Sequence, residues 1–184
     1  MKVISGKAKG RNLKMPKQST GKRIRPLTGR VKEALFNILA NRIDGVRFLD
    51  LFAGTGAVGI EALSRGACIA FFVEKDLKVV QALRENLDAT GFSDKAEVYC
   101  LDVLKAIQVM DNAGGKFDIV FIGAPYGDPV LEATLKSINN ASILDNKAIV
   151  IAEHSARSRL ADTYGRLIKY RDAKYGDTVL SFYS

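Results

Sequence analysis

Three acids and three glycines in the first part of the chain have the types and spacing of a small-molecule site. Asp50 lies in the apolar run Phe48-Leu49-Asp50-Leu51-Phe52, Gly54, Gly56 and Gly59 follow as G-x-G-x-x-G, and Glu74 closes Ala70-Phe71-Phe72-Val73-Glu74. Asp102 comes just past the run that ends at Cys100. A glycine turn from strand to helix lets a ligand approach the backbone, and an acid at the next strand end can accept both hydroxyls of a ribose. Dinucleotides and S-adenosylmethionine both suit that outline. Asp50 separates them, because a carboxylate at the loop entrance repels a diphosphate and attracts an ammonium and a sulfonium. The reading is S-adenosylmethionine, with Asp50, Gly54 and Gly56 at the methionine portion, Glu74 at the ribose and Asp102 at the adenine amino group. Phe52, Thr55, Lys75 and Val103 flank them and belong to the same cofactor site. The three acids also suit helix N-caps, Asp102 most of all.

The elements that must position these residues alternate. Apolar positions Val31, Ala34, Leu35, Ile38 and Leu39 recur at helical spacing after Thr28, with Arg30 and Lys32 near the helix start. Strands are expected over Arg47 to Phe52, Ile69 to Glu74, Ala96 to Cys100, Phe117 to Ile122 and Ala148 to Glu153. Helices are expected between them, over Ala57 to Arg65, Leu77 to Thr90, Val103 to Asn112 and Val130 to Ala141. The end differs: Arg166 to Lys174 and Thr178 to Tyr183 flank Tyr175-Gly176-Asp177 and read as a hairpin. The pattern is an α/β Rossmann-like fold of the class I methyltransferase type, a mostly parallel seven-stranded sheet with a C-terminal antiparallel hairpin. Met1 to Lys14 adds a small basic β-hairpin, so residues 1–27 read as an arm and 28–184 as the cofactor-binding domain.

At 184 residues and 47% hydrophobic content the chain can bury one domain's core. No apolar run approaches the roughly 20 residues of a membrane span. The basic start lacks the apolar stretch of a secretory signal, so a cytoplasmic protein is expected. Net charge is +8, and residues 1 to 32 hold eleven Lys or Arg and no acid. The remainder carries 17 basic against 20 acidic groups, so the positive excess is all in the arm. Such a block is the footprint of polyphosphate contact. Cys68 and Cys100 read as reduced, partly buried thiols, and the single His154 as a hydrogen-bonded strand-end residue; no metal site is expected.

After Phe117 to Ile122 comes Gly123-Ala124-Pro125-Tyr126. With Arg25-Pro26-Leu27-Thr28-Gly29-Arg30-Val31-Lys32-Glu33-Ala34-Leu35-Phe36-Asn37, Asp50 to Gly56, Glu61 to Ala67 and Tyr175 to Tyr183, the chain resembles the bacterial methyltransferases that modify guanine N2 in 16S ribosomal RNA. The resemblance covers nearly the whole chain. It implies ribosomal RNA or the small ribosomal subunit as partner; in the basic arm Lys7, Lys9, Arg11, Lys22, Arg23, Arg25 and Arg30 are the residues expected to hold phosphates, and a monomer is expected. It also implies that Gly123, Ala124, Pro125 and Tyr126 are the catalytic stretch, where the family has D-P-P-Y. There a side-chain oxygen and a backbone carbonyl hold the two amino N–H groups while the aromatic ring stacks on a flipped-out base. Here Gly123 replaces the acid and Ala124 the first proline. Three readings of that departure stand: methylation by backbone carbonyls alone, recruitment of another acid with Asp128 the nearest, or cofactor and RNA binding without turnover as a ribosome-assembly factor. An NAD-dependent oxidoreductase is disfavoured by Asp50 and by the terminal hairpin.

Overall fold

The computed structural model describes residues 1–15 and 27–184. Among the described residues five α-helices and eight strands follow in order: α1 (Gly29–Ile38), β1 (Arg47–Leu51), α2 (Ala57–Ser64), β2 (Ile69–Val73), α3 (Leu77–Thr90), β3 (Ala96–Tyr99), α4 (Val103–Asn112), β4 (Phe117–Ile122), α5 (Val130–Asn140), β5 (Leu144–Ser155), β6 (Thr163–Tyr164), β7 (Leu167–Tyr175) and β8 (Thr178–Tyr183). They form one sheet in the order β3-β2-β1-β4-β5-β8-β7-β6. The seven expected strands are all present, and the two-residue β6 extends the edge to eight. Strands β1 to β5 pair in parallel, and β8 runs antiparallel between β5 and β7.

The chain runs outward from β1 to β3 and returns to β4 on the other side of β1. That reversal opens a crevice at the carboxyl ends of β1 and β4, where ligands bind in open α/β sheets. Register carries the crevice to β5: Ile122 pairs with Ala152, so Gly123 comes beside Glu153 one position further on.

Alternation along the strands divides the core in two. Phe48, Ile119, Phe121, Ile151 and Phe182 pack with Leu35 and Phe36 of α1, Ile60 and Leu63 of α2 and Leu83 and Leu87 of α3. Leu49, Val120, Ile122 and Val150 pack on the opposite face with Ile107 of α4 and Leu135 of α5. Gly123 and Glu153 continue the first series, so they face the side that carries α1 and the N-terminal segment.

Residues 1–15 are docked onto that side. The expected hairpin is reduced to one bridge, Lys2 with Asn12, and Val3, Ala8 and Leu13 are buried. The fully buried Glu61 of α2 accepts the Ile4 and Ser5 amides at 2.8 and 3.0 Å, and Lys7 donates its amide to the Ser64 carbonyl at 2.8 Å. Gly6 has φ +79°, and a Cβ there would lie 1.7 Å from the Ser64 carbonyl oxygen, so only glycine permits this approach. Lys32, which the sequence places with Arg30 at the start of α1, is 2% exposed, and its Nζ lies 3.1 Å from Glu61 Oε2. Arg65 Nε closes the cluster 2.8 Å from Glu61 Oε1. Cys68 and Cys100 are free and exposed rather than partly buried, since each falls just outside its strand. His154 is buried, with Nε2 2.8 Å from Ser181 Oγ and Nδ1 3.0 Å from the Ser155 carbonyl.

Candidate active site

The loop after β1 is bent by positive φ at Phe52 (65°), Gly54 (54°) and Gly56 (82°). A non-glycine residue in that region stores strain of about 1 to 3 kcal/mol, and nothing in the residue type of Phe52 signals it. A Cβ on Gly59 would meet the Phe72 ring at 2.3 Å, so this glycine sets how closely α2 lies on β2. Asp50 is 1% exposed, and its Oδ2 accepts the Gly59 amide at 2.8 Å. Burial pushes its carboxyl up to about 7 against the pull of that amide, with Glu74 and Glu153 pushing the same way as burial. Asp50 therefore ties the loop to α2 from below and reaches a ligand through its field, not through an exposed face.

Glu74 is half-buried at the end of β2; Oε2 accepts the Gly54 amide at 3.1 Å and Oε1 the Asp76 amide at 3.0 Å. A carboxylate has about four lone-pair sites, so both oxygens keep acceptor capacity for hydroxyl donors. Thr55 is buried, and its carbonyl accepts from Asn86 Nδ2 at 3.0 Å. Lys75 is exposed beside Glu74. Asp102 is an exposed N-cap of α4, its Oδ1 accepting the Leu104 amide at 3.0 Å, while Val103 is buried under that first turn. Asp50, Glu74 and Asp102 thus share one edge of the sheet, each also serving its own backbone.

The end of β4 meets this loop directly: Gly123 donates its amide to the Leu51 carbonyl at 3.1 Å. Ala124 is buried, Pro125 exposed and Tyr126 half-buried. The Tyr126 hydroxyl donates to Glu153 Oε1 at 2.9 Å and lies 2.8 Å from Thr178 Oγ1. A phenol carries one hydrogen, so Thr178 is the donor in the second contact and the chain runs Thr178 to Tyr126 to Glu153. A Cβ on Gly123 would lie 3.8 Å from Glu153 Oε2. Asp128, the acid that proximity in sequence favours, accepts the Val130 amide at 3.1 Å at the start of α5. Glu153 and Thr178 have no role in the sequence reading. Yet the rule that selects Asp50 and Glu74, an acid at a strand's carboxyl end, selects Glu153 as well.

Of the expected RNA contacts, Lys7, Lys9, Arg11 and Arg30 are exposed, the first three in the segment held by α2. Lys22, Arg23 and Arg25 lie outside the described residues. Among the described residues no group of His, Cys, Asp or Glu is placed to hold a metal ion, and no helix is long and apolar enough to cross a membrane.

A parallel sheet that reverses at β1 and β4, a glycine loop flanked by acids and an antiparallel last strand beside β5 define a class I methyltransferase fold. The whole chain, residues 1–184, matches the family model described as Conserved hypothetical protein 95. It is 38% identical to YlbH of Bacillus subtilis over 183 residues, covering 100% of this chain and 98% of that one. It is 34% identical to Ribosomal RNA small subunit methyltransferase D of Escherichia coli, covering 100% of this chain and 89% of that one. The solved structure of yhhF from Escherichia coli superposes with a TM-score of 0.85 at 31% identity, covering 100% of this chain and 96% of that one. The chain belongs to this family of ribosomal RNA methyltransferases.

Proposed function

We propose that this protein transfers a methyl group from S-adenosylmethionine to the exocyclic N2 amino group of a guanine in 16S ribosomal RNA, acting in the cytoplasm as a monomer. The observation that carries the reading is the junction of the two half-sites, the Gly123 amide on the Leu51 carbonyl at 3.1 Å, which sets the Ala124–Tyr126 stretch beside the glycine loop. The residues present fit the cofactor. Glu74 offers acceptors to a ribose, and the field of Asp50 favours a cation over a diphosphate. Asp102 and Val103 flank the place where an adenine would lie, and Phe52, Gly54, Thr55, Gly56 and Lys75 complete the pocket.

When bound, S-adenosylmethionine supplies an electrophilic methyl group. The chain's part is alignment: the Ala124 carbonyl accepts one amino N–H, Pro125 and the Tyr126 ring clamp the flipped-out base, and Lys7, Lys9, Arg11, Lys22, Arg23, Arg25 and Arg30 hold phosphates. The absence of a side chain at Gly123 favours a second reading, a cofactor- and RNA-binding assembly factor without turnover. Calorimetry with S-adenosylmethionine and NAD tests the cofactor, and NAD binding without a response to the methyl donor would sink both readings. Transfer of labelled methyl to small subunits lacking the modification separates them: incorporation is expected, and its complete absence would leave the assembly factor.

A further inference from the structure

We propose that Glu153 positions the substrate amino group, supplying from β5 the carboxylate that position 123 lacks. This rests on the amino-methylation reading and deepens it. An amino group conjugated to a ring has its nitrogen lone pair drawn into that ring, so alignment with an incoming methyl group needs acceptors that hold both N–H bonds. The Ala124 carbonyl is one. Glycine at 123 offers no second, and Asp128 is turned to the amide of Val130.

Glu153 lies where the second is needed. It is the residue beside Gly123 in the β4–β5 register, on the same face of the sheet. Its Oε2 lies 3.8 Å from the place of a Cβ on Gly123, and an aspartate's oxygens would extend about 2.4 Å from that Cβ. The glutamate thus reaches the border of the volume that an aspartate on β4 would fill. It is also oriented from behind: Thr178 donates to Tyr126, and Tyr126 donates to Oε1 at 2.9 Å. That chain sets the rotation of the carboxylate, sends Oε2 toward position 123, and joins the acceptor to the ring that clamps the base. Glu153 is 9% exposed, shielded enough for a charged acceptor to hold an N–H strongly.

In the transfer the amino nitrogen's lone pair forms the new N–C bond while the C–S bonding pair passes to sulfur, leaving a neutral thioether. One N–H proton leaves the nitrogen for the Glu153 carboxylate and passes from there to water. No further reactant is required.

The arrangement also says what a restored aspartate would do. With Glu153 in place, Gly123→Asp sets two carboxylates side by side, where one is driven to protonate. With Glu153→Gln the amide oxygen keeps the Tyr126 bond and the NH2 turns toward position 123, so the fold contact is retained and the acceptor is lost. An aspartate at 123 would then have an amide donor as neighbour.

The test is single-turnover methyl transfer to unmodified small subunits by full-length wild type, E153Q, G123D and G123D/E153Q. S-adenosylmethionine affinity and Tm are measured for each. The expected result is a loss of about 10²- to 10³-fold in E153Q, the size found when one transition-state contact is removed. Cofactor affinity should stay within about threefold, G123D should be no faster than wild type, and G123D/E153Q should recover at least about tenfold over E153Q. A purely structural Glu153 would show itself as a lowered Tm in E153Q with no rescue in the double variant, and that pattern overturns the proposal, as does full activity of E153Q. Inactivity of wild type on every particle overturns the methylation reading and this proposal with it, whereas an active wild type with an indifferent E153Q overturns this proposal alone.

Discussion

Asp50 Oδ2 accepts the Gly59 amide at 2.8 Å, and through that one bond the strand that begins the site is tied to the helix that ends its loop. Because Asp50 is buried, its carboxyl is pushed up to about 7, with Glu74 and Glu153 adding to the effect of burial. A cationic ligand favours the ionised form, so binding below pH 7 must release a proton. S-adenosylmethionine affinity is expected to rise from pH 5.5 toward 7, by up to tenfold per pH unit, and to level off above. Calorimetry in buffers of different ionisation heat reads the proton directly, and Asp50→Asn should bind more weakly with the slope removed. Stability has the opposite sign. The folded carboxyl lies above its unfolded value of 3.8, so its favourable contribution is present at low pH and is lost as pH rises from about 4 through about 7.

Glu61 gathers the N-terminal segment. Burial alone would raise its carboxyl, but the Ile4 amide and the pairing with Arg65 and Lys32 outweigh it and hold the group below the usual range. Glu61→Ala leaves the Lys32 ammonium buried without its carboxylate partner, and a loss of about 3 to 5 kcal/mol in urea unfolding is expected. A depressed acid contributes stability above its unfolded pKa and loses it as pH falls through the folded one. The segment should therefore become open to proteolysis between residues 1 and 15 on acidification below about pH 4.5 in wild type, and already at neutral pH in the variant.

Lys7, Lys9 and Arg11 are exposed on the docked segment. Replacing all three by Ala should lower the slope of log K against log salt for single-stranded RNA by about 2, since each phosphate contact contributes roughly 0.7. Cofactor affinity should not change. An unchanged slope would remove this face from the RNA contact.

Tyr126→Phe keeps the ring and loses the bond to Glu153, while Tyr126→Ala loses both. Turnover is expected to fall about tenfold in the first and by a further tenfold or more in the second, with KM for RNA rising only when the ring is removed. Equal effects of the two would deny the ring any part in holding the base.

Much of this architecture is legible in the sequence because its punctuation is local. Helix α3 begins and ends at the expected residues, since Asp76 caps Lys78 and Val79 and Gly91 turns the chain at φ +77°. Strand β4 is a six-residue run, apolar except for Asp118, and matches as well. Strand β5 is expected from Ala148, but it starts at Leu144 because Leu144 pairs with Phe117, and the polar Asp145-Asn146-Lys147 between gives no apolar pattern. The features that escape a sequence reading depend on partners distant in the chain. Lys32 reads as a surface cation until Glu61 is brought beside it, and Glu153 reads as a strand end until the register sets it against Gly123. Among the acids of the glycine loop, type and position are readable, but the burial of Asp50 follows from packing on Gly59 and is not.

The most direct measurement is mass spectrometry of nucleosides from 16S RNA after unmodified small subunits are incubated with this protein and S-adenosylmethionine carrying a deuterated methyl group. Methyl transfer to guanine N2 predicts labelled N2-methylguanosine, formed by wild type and nearly lost in E153Q. Label on another base or on a ribose, or no label at all with cofactor and RNA both bound, would contradict it.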